Sequence, residues 1–198
     1  IMAGYIGSKA VLLSTTAAEV SGDADIGGSV LVDTIKGDNG TTAMTIDSTG
    51  QVLQSNKINY KIHLSGNVSI PSQTWTKLPF NTVSSPNGWN IGSKFDVSTN
   101  YRFTPTVAGY YLIGGVCSIA NTECSYVLLN VYKNGSELIH WQGVEAGDQS
   151  AWVKASGASV IYFDADDYIE YYVYQNHSSA ANAVGSSAYT EAWGYLVG

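Results

Sequence analysis

Residues 95–116, FDVSTNYRFTPTVAGYYLIGGV, constrain the fold of this chain more than any other stretch. Apolar and polar positions alternate, Pro105 and Gly109 interrupt them, and a nearly continuous apolar run follows. This pattern predicts two strands meeting at a tight corner, the signature of a β-sandwich. Gly109 suits a left-handed or closely approached backbone at that corner. Along the strand that follows, side chains alternate between faces, so Tyr110 and Tyr111 are expected to point opposite ways, one of them into the core.

Aromatic residues divide the chain in two. All five tryptophans and all four phenylalanines lie beyond residue 58, and Tyr5 is the only aromatic before it. A segment so poor in large apolar side chains cannot close a core of its own. Residues 1–58 are therefore expected to dock or intertwine, and residues 59–198 to form the folded head. The first segment consists of short β-like pieces, KAVLLST, SVLVDTI, TAMTID and QVLQ, separated by turn-forming Gly, Asn and Asp. Such spacing suits an intertwined β stalk that buries Val30, Val32, Ile35, Met44, Ile46, Val52 and Leu53 against their counterparts in other copies. A flexible linker is the alternative.

Charge excludes one large class of partner. The net charge is −7, and the nine Lys and Arg residues are scattered, whereas phosphate neutralisation needs them clustered, so no nucleic acid is expected. No apolar run approaches the ~18 residues of a spanning helix, so membrane insertion is not expected either. The opening IMAGYIGSKA has neither the basic nor the apolar region of a signal peptide. Without a secretion signal, Cys117 and Cys124 are read as small reduced hydrophobes, although they could pair across a hairpin. For the same reason the N-x-S/T matches at Asn39, Asn67, Asn134 and Asn176 read as chance.

The head contains further strand signals in order. YKIHLSGNVSI alternates, and SQTWTKLPFN places Trp75 and Leu78 before a polar loop. SYVLLNVYKNGSELIHWQGV carries Asn134-Gly135, the dipeptide of a type I′ hairpin. WVKASGASVIYFDADDYIEYYVYQN repeats the device with DADD as the turn, and TEAWGYLVG supplies a last strand. In DYIEYYVYQN, period-2 alternation puts Ile169, Tyr171 and Val173 inside and Tyr168, Glu170, Tyr172 and Tyr174 outside.

These residues resemble the globular heads of the C1q and tumour-necrosis-factor (TNF) superfamily. The resemblance runs over roughly residues 60–198. It rests on Phe103, Gly109 and Tyr111 in the pattern F…G-x-Y, on the Val160, Ile161 and Phe163 strand, and on the closing Trp193, Gly194, Tyr195 and Leu196. Asp166 stands where such heads usually have glycine, which leaves the turn type open. The resemblance implies an all-β jelly-roll sandwich and a homotrimer about a threefold axis. The outward tyrosines Tyr168, Tyr172 and Tyr174 are then expected at a trimer contact, the alternative being a solvated tyrosine rim. The earlier segment, with GYIGS and DTIKGDNGTTAMTIDSTGQVL, is similar to the heads of bacteriophage tail-fibre proteins. That similarity implies attachment to other virion proteins through residues 1–58, with assembly in the host cytoplasm and a place on the virion.

Catalytic motifs are sparse. There is no G-x-S-x-G, no H-E-x-x-H, no phosphate-cradling glycine loop and no C-x-x-C. Three dispersed histidines, His63, His140 and His177, make no zinc site. Asp164, Asp166 and Asp167 with Glu145 or Asp148 could take calcium, as some C1q-like heads do, but their spacing fits a solvated acidic turn better. No cofactor is expected. Loops at the ends of a rigid sandwich are the remaining functional candidates: Asn121, Thr122 and Glu123; His140, Trp141 and Gln142; and the loop that opens with Asn176 and His177. The expected function is a non-enzymatic fibre protein whose head contacts a host-surface glycan or protein. A purely structural capsid-decoration or baseplate fibre is the runner-up. A carbohydrate-active enzyme would need paired carboxylates that the spacing does not suggest.

Overall fold

The computed structural model describes residues 33–36, 40, 42–54, 57–83, 88–120, 124, 126–143 and 152–197. Every regular element among them is a strand, and among these described residues no helix is long and apolar enough to cross a membrane. Strands β1 (Thr34–Lys36), β2 (Thr42–Ile46) and β3 (Val52–Leu53) form a small antiparallel sheet. Its second turn is built by Asp47, whose Oδ1 accepts the N–H groups of Thr49 at 2.8 Å and Gln51 at 2.9 Å. Gly50 completes the turn with φ 82°. Of the residues expected to be buried in a stalk, Ile35 and Val52 are exposed within this single chain, Met44 and Ile46 are half-buried, and Val30 and Val32 lie outside the described residues.

The head begins with β4 (Asn59–His63), β5 (Val68–Ile70), β6 (Thr76–Lys77), β7 (Trp89–Ile91), β8 (Phe95–Asp96) and β9 (Arg102–Phe103). It continues through β10 (Gly109–Ala120), β11 (Val127–Lys133), β12 (Ser136–Gln142), β13 (Val153–Phe163), β14 (Ile169–Gln175), β15 (Ala181–Ala183) and β16 (Glu191–Leu196). Two antiparallel sheets result. The first runs β13–β10–β16–β4–β7, with β15 and β5 paired beside the end of β10. The second runs β12–β11–β14–β9–β8, with β6 also on β14. From β9 onward the chain passes repeatedly between the sheets, which is the winding of a jelly roll.

The expected corner is more elaborate than two strands. Phe95 pairs with Phe103, so β8 and β9 form a hairpin of their own. Asp96 closes it by accepting the N–H groups of Ser98, Thr99 and Asn100, which hold its carboxyl far below the usual carboxylate range. The chain then crosses to the first sheet before Gly109, which is not among the left-handed glycines and simply starts β10 opposite Phe163. A hydrogen bond pins the crossing instead: the Tyr111 hydroxyl donates to Val107 O at 2.8 Å. Tyr111 is fully buried and Tyr110 is exposed, as alternation requires. The Asn134-Gly135 turn also forms as expected, with φ 51° and 80°. Asp166 takes φ 73°, the left-handed conformation for which glycine is the usual residue.

Aromatic rings fill the space between the sheets. Tyr60 of β4 lies 4.7 Å from Phe103 and 5.2 Å from Phe95, and Tyr111 continues the cluster to Phe103 and Phe163. From the opposite sheet Tyr171 meets Phe80 edge-on. The two buried hydroxyls of Tyr60 and Tyr171 lie 2.8 Å apart, and Tyr171 also donates to Gly114 O at 3.2 Å. Cys117 and Cys124 are both free and buried, and burial pushes the Cys117 thiol up to about 12.

The tyrosine pair yields two expectations. Tyr171→Phe strands the Tyr60 hydroxyl in the core and should cost about 1–3 kcal/mol in urea unfolding, whereas Tyr60→Phe leaves Tyr171 its carbonyl and should cost less. Burial also raises both phenol pKa values above their ordinary value. Because unfolded tyrosines ionise near pH ~10 while these stay protonated, stability is retained below that pH and falls as pH rises above it. Equilibrium unfolding at stepped alkaline pH measures this slope, and Tyr60→Phe should make it shallower.

Candidate interaction surfaces

Each sheet turns one side inward and one outward, and the two outward sides differ. On the first sheet the cross-strand register lines up apolar rows. Tyr110 faces Tyr162, and the next row reads Val160, Leu112, Tyr195, Asn59 and Ile91. The third reads Ala158, Gly114, Trp193, Lys61 and Trp89; Asn59 and Lys61 are the polar members of these two rows, and the fourth, Ser156, Val116, Glu191 and His63, is mostly polar. Solvated antiparallel sheets normally present polar residues here. Instead Val160 is 57% exposed, Tyr110 55% and Tyr162 46%. Beside them an open cleft of ≈ 420 Å³ lies between Trp89, Trp193 and Tyr195, with Lys57 and Lys61 in its lining.

Glycine shapes this surface. A Cβ on Gly114 would fall 2.2 Å from the Trp193 ring, so only glycine lets that ring lie flat across the strand. Gly157 has the same relation to Trp141, at 2.1 Å. Trp141 was expected to contact a receptor, but it is 9% exposed and packs on Gly157 as part of the core.

The outward side of the second sheet is aromatic but also polar. Tyr132 and Tyr172 have ring centroids 4.2 Å apart, Tyr126 stacks on Tyr174 at 6.0 Å, and Trp75 leans on Tyr174 at 5.4 Å. Lys77 forms a short ion pair with Glu170, and Arg102 sits 4.3 Å over the Tyr168 ring. Burial, then the neighbouring Glu170, raises the pKa of Tyr172, so its hydroxyl is a donor at neutral pH. Tyr168, Tyr172 and Tyr174 thus share one outward face, half-buried against side chains of their own sheet.

The other expected recognition residues fall into three groups. His140 and Gln142 are exposed on β12, and His140 lies 3.2 Å from Glu137. Asn176 and His177 are committed to structure: Asn176 Oδ1 accepts the Tyr126 N–H at 2.9 Å, and His177 is 8% exposed with its Nδ1 accepting the Ser179 N–H. Asn121, Thr122 and Glu123 lie outside the described residues, as do Glu145 and Asp148. At the acidic turn, the Asp167 carboxylate is engaged by Lys133 at 2.6 Å and Asn134 at 2.6 Å. Among the described residues no group of three or more His, Cys, Asp or Glu could hold a metal ion.

The chain aligns over 72% of its length with the Eiger TNF of S. frugiperda, covering 94% of that chain at 9% identity and a TM-score of 0.50. Murine APRIL aligns over 71% of this chain and 99% of its own, at 12% identity and a TM-score of 0.53. The fold is a C1q/TNF-like jelly roll. The globular domain of zebrafish complement 1qA aligns over 72% of this chain and 98% of its own, at 14% identity and a TM-score of 0.49. No family model matches the sequence, and no curated protein matches it.

Sequence reasoning missed the apolar rows of the first sheet, although the signal was available. GYYLIGGV and SVIYF are apolar at both parities, which a sheet with a solvated outer side does not need. The two glycine–tryptophan contacts give a graded expectation. Gly157→Ala should destabilise by about 1–3 kcal/mol because the buried Trp141 ring has nowhere to go. Gly114→Ala should cost less, since Trp193 can swing outward, and should shift tryptophan emission to the red.

Proposed function

We propose that this chain is a non-catalytic fibre protein of a bacteriophage particle, acting as a homotrimer. Residues 1–58 attach it to other virion proteins and form the stalk, and residues 59–198 form the head that meets the host surface. One observation carries the self-association: the apolar outward side of the first sheet. At ~4.8 Å between strands and ~6.8 Å between same-face residues, a row of two and two rows of five cover on the order of 400 Å². A stable interface needs about 800 Å² per partner, so these rows would form its centre. Copies of the chain are the natural cover, because the fold is that of the C1q/TNF-like heads and a heterologous contact closes into a ring. The likeness of the first segment to phage tail-fibre sequences supports the virion role, and three weak contacts to a repetitive surface gain from avidity.

The test is sedimentation of the full chain. Wild type should run as three chains, and Val160→Lys with Tyr110→Glu, both at exposed positions, should shift it toward monomer with its far-UV spectrum unchanged. A monomeric wild type contradicts the trimer. A trimer indifferent to both substitutions moves the interface away from this face.

A further inference from the structure

On the opposite side of the head, one residue does not fit a merely structural surface. Asn130 of β11 shares the outward side with Leu128 and Tyr132, since Val127, Leu129 and Val131 point into the core. It is nevertheless fully buried, and neither its amide nitrogen nor its amide oxygen has a hydrogen-bond partner. Its register neighbours are Tyr172 and His140. The Tyr132–Tyr172 ring pair, with centroids 4.2 Å apart, lies on the same outward side. Buried polar groups are almost always paired, and an orphaned one calls for a reason.

We infer that this outward face, with Asn130 at its centre, binds a neutral glycan. A carboxamide offers donors and an acceptor together, which matches adjacent sugar hydroxyls. Tyrosine rings beside it offer flat apolar faces for the C–H side of a pyranose and hydroxyls at their rims. Tyr132, Tyr172 and Tyr174 supply both, with exposed His140 and Gln142 at the edge. Ring rotation at Tyr132 and Tyr172 opens the amide to the ligand, and no covalent step is involved. Charge selects against acidic sugars. The cations of this face are engaged, Lys77 with Glu170 and Arg102 with Tyr168, and the chain carries a net −7. A protein partner would seal the amide without pairing it unless it brought a matching polar group.

This inference rests on the reading of the head as an adhesion module, and the test separates the two. Fluorescently labelled full chain is titrated onto intact cells of a panel of bacterial strains, before and after periodate, which cleaves vicinal diols. Binding that is lost after periodate, and that drops more than tenfold in Asn130→Leu and in Tyr172→Ala, is the expected result. Asn130→Leu should also raise the thermal midpoint, because it removes an unpaired polar group while keeping the same branched arrangement of side-chain heavy atoms. Binding that survives periodate, or that is indifferent to both substitutions, overturns the glycan site and leaves adhesion standing. Asn130→Leu with a lowered midpoint and intact binding overturns it as well. Absence of binding to every strain defeats the adhesion reading itself, and the glycan site with it.

Discussion

Two phenols meet in the middle of the sandwich, and the arrangement of both sheets follows from them. Tyr60 comes from the first sheet and Tyr171 from the second, each fully buried, with hydroxyls 2.8 Å apart. Neither oxygen can reach water, so each must find its partner across the interior. The rings also set the backbone around them. Gly194 lies under Tyr60, where a Cβ would come within 2.7 Å of the ring, so glycine at that point is what leaves room for this tyrosine.

With the interior closed in this way, the two outward sides are free to carry function. The first sheet presents apolar rows that end abruptly at Glu191 and His63. Such a surface lowers its free energy when water is removed from it over a broad, flat area. The second sheet presents half-buried rings and an ion pair around the unpaired amide of Asn130. Its chemistry favours a polar ligand of limited size. The proposal that one side turns to copies of the chain and the other to a ligand rests on that difference.

Much of the fold could be read in the sequence because alternation is strict where one side is buried. The parity of DYIEYYVYQN, the Asn134-Gly135 turn and the final strand all appear where expected. Short elements could not be read this way. β7 hides in a polar loop and β15 has three residues, so both depend on neighbouring strands rather than on local pattern. The surfaces were less legible still. Parity identified the outward tyrosines, but not that Asn130 lies unpaired among them. Trp141 and His177 looked like loop residues because nothing in their local sequence records the Gly157 surface or the Gln175 network that encloses them.

Hydroxyl-radical footprinting of the full-length protein in solution tests the division of labour between the two sides in one experiment. Tyr110, Tyr162 and Val160 should be labelled well below what their exposure in a single chain implies, while Tyr132 and Tyr172 are labelled. Equal labelling of both sides, or protection on the Tyr172 side alone, would contradict it.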